Sequence, residues 1–221
     1  MPEKVPPLKN IHTPTSLKVI AFQTIKEAII NGKLKPGNLY SEPDMARELG
    51  ISRTPVHEAV LDLTSRGFLT IVPRRGFRIV ELTEQEVRHL YTFRIILETA
   101  VVREIAFLMT DASIRRAEQI ISKQSQMLKK KDWFGFLEMD RKFHSFLSSL
   151  TNNPYIISAL ENVRDLIDWV GFKGLLVKEE RMKEAVAEHF TIIEFLKSNN
   201  VEAAVLKMEN HLRAVEKVLF D

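Results

Sequence analysis

Apolar residues in the first 80 positions fall into three short helical patterns followed by two β-prone runs. The helical segments place apolar residues three and four positions apart, and they stop at Gly32, Gly50 and Gly67. The β-prone runs, Phe68–Val72 and Phe77–Val80, flank a turn and predict a hairpin. Only Gly50 and Ile51 separate the second and third helices, so residues 15–80 predict a helix-turn-helix with a β-hairpin wing.

The chain after residue 80 carries helical periodicity almost to its end, and no strand pattern competes with it. Predicted helices lie at about 84–108, 112–130, 132–151, 155–170, 178–197 and 201–219. This pattern predicts that residues 81–221 form an all-α bundle of six to seven helices, so the fold class is mainly α. Residues 1–14 are polar and contain several prolines, and we expect them to form a flexible N-terminal arm.

The composition of the chain excludes several kinds of site and indicates where the protein works. The chain has no cysteine, which excludes disulfides and thiolate metal sites and favours a reducing cytoplasm. It has no signal-peptide pattern and no uncharged apolar stretch of the roughly 20 residues that a membrane helix needs, so we expect a cytoplasmic protein without a membrane partner. Residues 1–80 hold 12 Lys and Arg against 7 Asp and Glu, whereas residues 81–221 hold 20 against 22. This asymmetry suits a polyanion-binding segment joined to another module, although statistical scatter would also produce it.

The third helix and the hairpin turn carry polar and basic residues suited to DNA. A recognition helix presents its N-terminal residues to base edges in the major groove, and arginine bonds bidentately to guanine. The predicted DNA-binding residues are Ser52, Arg53, Thr54 and His57 on the helix, and Arg74, Arg75 and Gly76 on the wing. The small Gly76 would allow close approach to the DNA backbone or minor groove. The alternative is that Ser52 is only a helix cap and the arginines are a solvated surface.

Four residues of types that bind metals lie on the apolar stripes of three predicted bundle helices: Asp140, His144, His189 and His211. Asp140 and His144 are four residues apart and therefore share one helical face. A carboxylate in an apolar stripe is costly unless it is paired or bound to a metal. One carboxylate and three imidazoles suit zinc, with nickel, manganese and iron as alternatives. An internal Asp–His hydrogen-bond network is the metal-free interpretation.

Arg94 lies on the apolar stripe of the first bundle helix and therefore points inward. Its planar guanidinium matches a carboxylate, which makes it a candidate for binding a small acidic effector. The alternative is an internal ion pair with Glu98, one helical turn away.

The N-terminal motifs resemble the GntR family of bacterial regulators. The matching stretches are Gly32-x-Leu34-x-Pro36-Gly37, Ala46 to Ala59, Gly67-Phe68-Leu69 and Pro73 to Phe77. The resemblance implies a homodimer that binds a short palindromic operator, in double-stranded DNA, through the winged helix. The family usually has arginine where this chain has His57, so the operator preference or its pH dependence is expected to be unusual.

The C-terminal motifs resemble the FCD effector domain of the FadR subgroup within that family. The matching residues are Asp140-x-x-Phe143-His144, Glu188-His189 and His211-Leu212. The resemblance implies a divalent metal at Asp140, His144, His189 and His211, and a small carboxylate effector beside it that Arg94 helps to hold. Some members of the subgroup lack these ligands and bind fatty acyl groups. The presence of all four ligands argues against fatty acyl binding by this chain.

These observations predict a transcription regulator, more often a repressor, whose operator affinity responds to a small organic acid. Two alternatives are a constitutive DNA-binding regulator with a purely structural metal and a sensor of the metal itself. A metal-dependent hydrolase is the enzymatic alternative. Against it, the chain has no zinc-protease spacing, no phosphate-binding glycine loop and no nucleophile elbow, and Glu188 points about 100° away from His189 on a helix. We therefore expect that the protein is not an enzyme.

Overall fold

A computed structural model of the protein describes residues 16–175 and 179–220, with side chains for 16–167 and 179–220. The chain divides into two compact units, one up to Glu81 and one from Leu82 onward. The N-terminal arm expected at residues 1–14 lies outside the described residues.

The first unit contains three helices and a small antiparallel sheet. Its elements are α1 (Leu17–Ile30), β1 (Leu39–Tyr40), α2 (Glu42–Leu49), α3 (Arg53–Ser65), β2 (Leu69–Val72) and β3 (Gly76–Ile79). The strand order is β1-β3-β2, so the predicted hairpin of β2 and β3 gains a third strand. The two residues of β1 are too few to show a period of two, which is why the sequence pattern does not indicate this strand.

Local capping explains where α2 begins and ends. The hydroxyl of Ser41 accepts a hydrogen bond from the backbone N–H of Asp44 at 3.2 Å and caps α2. Gly50 ends α2 in the left-handed region, at φ 66°, where glycine pays no Cβ penalty. Ser52 occupies the N-cap position of α3, but its side chain makes no capping hydrogen bond. The apolar side of α3 is fully buried in the core of this unit, which fixes the orientation of its polar side.

The second unit is all-helical in its described residues, 82–175 and 179–220. Its helices are α4 (Glu84–Ile105), α5 (Asp111–Lys129), α6 (Trp133–Ser149), α7 (Pro154–Leu175), α8 (Glu179–Lys197) and α9 (Val201–Val218). The predicted fold, a winged helix-turn-helix followed by a helical bundle, is confirmed. The predicted helix at 155–170 is too short, because α7 continues to Leu175. None of the described helices has the length and apolar character needed to cross a membrane.

Helix α4 is fixed in the bundle by a capping box at its start and by its packing against α9. A capping box between Thr83 and Glu86 begins α4, whose inward face is buried along its whole length. Ion pairs join α4 to α9 at both ends, Arg88 to the partly buried Glu216 at 3.6 Å and Arg103 to Glu202 at 3.4 Å. Since the sequence numbers run in opposite directions across these pairs, α4 and α9 are antiparallel neighbours.

Candidate metal centre and DNA-reading surface

The four predicted metal ligands converge at one point inside the bundle. Helix α6 supplies Asp140 and His144 one turn apart, α8 supplies His189, and α9 supplies His211. One ligand atom from each residue lies within 4.8 Å of the other three. The three histidines are buried, whereas 26% of the Asp140 side chain is exposed. The three imidazoles are therefore shielded from solvent, and solvent reaches the centre beside the carboxylate.

The separations of the donor atoms fit a metal ion. The Nε2 atoms of His189 and His211 are 3.3 Å apart, and the oxygens of Asp140 lie 3.8 Å from Nε2 of His144 and 3.7 Å from Nε2 of His189. Bonds of about 2.1 Å around a tetrahedral ion separate ligand atoms by about 3.4 Å. Nε2 of His144 is buried and has no hydrogen-bond partner in the described part of the chain. A buried polar atom without a partner is costly, and a cation would satisfy it.

A second layer of acceptors orients the three imidazoles. Each Nδ1 faces an oxygen atom of another helix: Glu98 Oε2 at 2.5 Å from His144, Gln124 Oε1 at 2.9 Å from His189, and Glu188 Oε2 at 2.8 Å from His211. An Nδ1–H that donates to such an acceptor leaves the Nε2 lone pair free. The amide of Gln124 also donates to Asp140 Oδ1 at 3.0 Å. Each of the four ligands therefore has a hydrogen-bond partner on a neighbouring helix, and Nδ1 of His211 also lies 3.3 Å from Nη2 of Arg181.

The electrostatics of the site favour neutral imidazoles at His144 and His189. Burial, together with the neighbouring His211 and His144, holds the pKa of His189 well below its usual value. Burial also lowers the pKa of His144, with Arg94 adding to the effect. Neutral imidazole is the form that binds metals. Burial opposes ionisation of Glu188, but hydrogen bonds from His211 and Arg181 lower its pKa to about 2.

The Arg94–Glu98 ion pair, the alternative to an effector role for Arg94, is present at 2.7 Å, with both side chains almost fully buried. Arg164 of α7 approaches the same carboxylate at 3.4 Å. Burial opposes the charge of Glu98, but His144, Arg94 and Arg164 hold its pKa well below the usual range. The carboxylate of Glu98 therefore joins two buried arginines to a candidate metal ligand, and a role for Arg94 in holding an effector stays a prediction.

Sequence reasoning missed several residues around the centre. Glu188 does point away from His189, as expected from the helix, but it contacts His211 on α9. Gln124 lies on the buried stripe of α5, and Arg164 and Arg181 are buried on α7 and α8. The sequence signal that could have identified Gln124, Arg164 and Arg181 is the one that identified the histidines: a polar residue at a position on the apolar stripe of a helix. Only tertiary structure shows that these side chains surround the same centre.

The predicted DNA-binding residues lie on one side of the first unit. Ser52, Arg53, Thr54 and His57 are exposed near the start of α3, and Arg74 and Arg75 are exposed at the wing turn. Arg53, Arg74, Arg75 and Gly76 line a common groove of about 310 Å³. The fold thus brings the start of α3 and the wing together around one groove, which Glu42 of α2 also lines and which we call the basic groove after its three arginines.

Two of these residues have roles within the protein that the sequence did not indicate. Nδ1 of His57 lies 3.0 Å from Glu42 of α2, so the imidazole has a carboxylate partner in the same unit. Gly76 has φ 120°, and a Cβ placed on it would clash with the carbonyl oxygen of Tyr40 in β1. The close approach of β1 to β3 therefore requires glycine at position 76. This requirement is independent of any contact that Gly76 makes with DNA.

Comparisons with known proteins agree with this architecture. Residues 18–79 match the family described as bacterial regulatory proteins, gntR family, and residues 89–214 match the FCD domain. The chain is 32% identical over 213 residues to YdhC of Bacillus subtilis, an uncharacterized HTH-type transcriptional regulator, with 91% of this chain and 92% of YdhC covered. It is 25% identical over 197 residues to the HTH-type transcriptional repressor RspR of Escherichia coli, with 89% and 86% covered.

The fold also matches a solved structure. Escherichia coli McbR/YncC superposes with a TM-score of 0.80 at 21% identity, over 94% of this chain and 98% of that one, which supports the fold alone. Both matching families consist of transcription regulators and not of enzymes. This chain belongs to the GntR family of bacterial DNA-binding transcription regulators and carries an FCD domain behind its DNA-reading domain.

Proposed function

We propose that this regulator is a homodimeric repressor whose affinity for a palindromic operator is modulated by a small organic acid bound beside a divalent metal ion. Residues 15–80 read DNA, and residues 81–221 hold the metal and the effector. The convergence of three Nε2 atoms and the Asp140 carboxylate carries the proposal. The name of RspR, a transcriptional repressor, supports the sign of regulation.

The metal proposed for this centre is zinc, bound by Asp140, His144, His189 and His211. One carboxylate and three imidazoles form a nitrogen and oxygen donor set that zinc accepts readily, and nickel, manganese and iron accept the same set. The fit rests on the donor separations of 3.3 to 3.8 Å and on the unpartnered Nε2 of His144. Four protein ligands complete a tetrahedral shell, so an effector carboxylate would coordinate only if the bound ion expands its shell beyond four, where it would act as a Lewis acid.

The effector class follows from the buried charges beside the centre. Arg94 and Arg164 both face Glu98, and Nε of Arg164 is buried without a hydrogen-bond partner in the described part of the chain. A donor of this kind is satisfied by an acceptor that enters the site. A small carboxylate would provide one oxygen for the metal and others for the arginines, which selects an acidic effector over an apolar one.

Operator recognition is assigned to the basic groove. In this proposal Arg53 at the start of α3 contacts a base edge, and Arg74 and Arg75 contact phosphates or the minor groove; their position around one groove supports it. Ser52 and Thr54 are exposed beside Arg53, and the Ser52 hydroxyl is not used in capping. His57 has Glu42 as the partner of its Nδ1, so it is assigned a modulating role.

The test is a direct titration of operator DNA. A binding site is first selected from random duplex DNA with the zinc-loaded protein, and we expect a palindrome. Its affinity is then measured with a panel of small mono-, di- and tricarboxylic acids, for the wild type and for His189→Ala. The proposal predicts that one class of acid changes wild-type affinity and leaves the affinity of folded His189→Ala unchanged. By linkage, the operator must change the affinity for that acid by the same factor.

Failure of this test has a defined meaning. If the wild type binds the selected DNA with an affinity that no acid alters, the sensing part of the proposal is wrong. The protein is then a constitutive regulator with a structural metal, and chelation should lower only its melting temperature. If the selection yields no preferred site, specific operator recognition by the basic groove is wrong as well.

A further inference from the structure

The imidazole of His57 is held by a carboxylate on the neighbouring helix. Its Nδ1 lies 3.0 Å from Oε1 and 3.1 Å from Oε2 of Glu42, the first residue of α2. Only 18% of the Glu42 side chain is exposed, whereas 53% of the His57 side chain is exposed. The more buried partner therefore holds one edge of a ring that is otherwise open to solvent, beside the basic groove that Glu42 also lines.

This contact fixes which nitrogen of the ring carries a hydrogen atom. An ionised carboxylate only accepts hydrogen bonds, so Nδ1 of His57 must be the donor. A neutral imidazole has a single N–H, and its other nitrogen is then an acceptor. Nε2 of His57 has no hydrogen-bond partner within the described ranges 16–175 and 179–220. The ring therefore offers Nε2 to an incoming ligand as a hydrogen-bond acceptor.

Arg53, one helical turn earlier on α3, offers the opposite chemistry. Its guanidinium has donors only, which suit the O6 and N7 acceptors of guanine. An acceptor such as Nε2 of His57 needs a donor instead. In the major groove the donors are the exocyclic amino groups of adenine and cytosine, whereas guanine and thymine present oxygen acceptors there.

We propose that His57 reads a base with an exocyclic amino group, adenine or cytosine, through Nε2, and that Glu42 is the positioning residue that holds the ring in this tautomer. The inference rests on the proposed function in one respect, because it requires α3 to enter the major groove of a selected operator. His57 lies four residues after Arg53, about 6 Å along the helix. Its base is therefore within about two base-pair steps of the base that Arg53 contacts.

The first experiment deletes the amino group from the DNA. Operators are selected with the wild type and with folded His57→Ala, at about pH 8.5 so that the imidazole is neutral. The base pair whose preference differs between the two selections is the one that His57 reads. At that pair, purine in place of adenine, or 2-pyrimidinone in place of cytosine, removes the amino group. This deletion should weaken wild-type binding about 2- to 12-fold, the contribution of one hydrogen bond, and change binding by His57→Ala less than about twofold.

Several outcomes of this experiment would contradict the inference. One is a loss of wild-type affinity caused by a 7-deazapurine, which lacks the N7 acceptor, and not by deletion of the amino group, since His57 would then donate to DNA. Identical selected sequences for the wild type and His57→Ala would exclude base reading by His57. A selected palindrome without amino-group dependence overturns this inference alone. Failure to select any preferred site overturns operator recognition in the proposed function as well.

The second experiment tests the positioning role of Glu42. Glu42→Met keeps the side-chain length and removes the acceptor of Nδ1, so the protein no longer holds the ring in one tautomer. The penalty for deleting the amino group should then fall toward that of His57→Ala. Glu48→Met is the matched control, because Glu48 is exposed on the same helix and its replacement removes the same charge outside the contact with His57.

The two variants separate tautomer control from a general effect of charge. Both remove one negative charge from α2, so both should bind all duplexes more tightly. Only Glu42→Met should lose discrimination between the operator and its amino-deleted form. If Glu42→Met keeps the full wild-type penalty, Glu42 is only a structural link between α2 and α3, and the positioning role is wrong.

Discussion

Gln124 is the residue whose replacement tests the second layer of the metal centre most cleanly. Its carbonyl accepts from Nδ1 of His189 at 2.9 Å, and its amide donates to Asp140 at 3.0 Å, so one uncharged side chain orients two proposed ligands. Gln124→Met keeps the length of the side chain and removes both hydrogen bonds. Unlike a change at Glu98, it leaves no buried arginine without its carboxylate.

The expected losses follow from the burial of the two partners. The His189 side chain is fully buried, so water cannot replace the lost acceptor, whereas the partly exposed Asp140 can be hydrated. An unsatisfied buried donor costs about 1 to 3 kcal/mol. For a chain of this size, that cost lowers the melting temperature of the metal-free protein by roughly 2 to 12 °C. Without the acceptor, the His189 tautomer protonated on Nε2 competes, and that form does not bind a metal. Removing a partner of this kind reduces metal affinity about 10- to 100-fold.

The assay is competition for zinc against a chromophoric chelator, alongside thermal unfolding of the metal-free protein. Gln126→Met is the matched control. Gln126 is exposed on the same helix, so this variant makes the same chemical change away from the metal centre. We expect Gln126→Met to bind zinc like the wild type. A zinc affinity for folded Gln124→Met within about twofold of the wild type would refute the argument that ligand orientation depends on this side chain.

Three further predictions concern the rest of the molecule. Gly76→Ala should lower the free energy of unfolding of the first unit by at least about 2 kcal/mol in chemical denaturation, because the new Cβ meets the Tyr40 carbonyl at a positive φ; wild-type stability would contradict this. Arg75→Ala should weaken binding to all duplexes and reduce the slope of log K against log salt by about 1; an unchanged slope would remove Arg75 from the phosphate contacts. Hydrogen bonds from the Thr83 backbone and side chain lower the pKa of Glu86 from its usual 4.5, so its ionised form stabilises the fold. The stability difference between the wild type and Glu86→Gln should therefore be full above about pH 4.5 and vanish as the pH falls through the lower folded pKa, and a difference that persists in acid would refute it.

The sequence predicts much of this architecture because its local signals are strong. The capping box at Thr83, the glycine at the end of α2 and the spacing of Asp140 and His144 each depend on only a few neighbouring residues. Helical periodicity then predicts which faces are buried, and so which histidines point inward. Agreement between local and global preferences of this kind is typical of natural sequences.

The parts that the sequence does not predict depend on which helices become neighbours. Periodicity indicates that Gln124 and Arg164 are buried, but only the packing of α5 against α8 and of α7 against α4 identifies their partners. Glu188 illustrates the same limit, since its direction on α8 is correctly predicted and its contact with α9 is not. For Gly76, the reason for the missing side chain lies in Tyr40, 36 positions earlier in the chain.

Elemental analysis of the untagged protein decides whether Asp140, His144, His189 and His211 hold a metal ion. We expect close to one divalent metal ion per chain in the wild type, and loss of that metal in both Asp140→Ala and His189→Ala while circular dichroism still shows folded helices. Wild-type protein that is folded, binds operator DNA and contains no metal would contradict this expectation. The four residues would then form a hydrogen-bonding pocket, and the effector search would move to uncharged molecules.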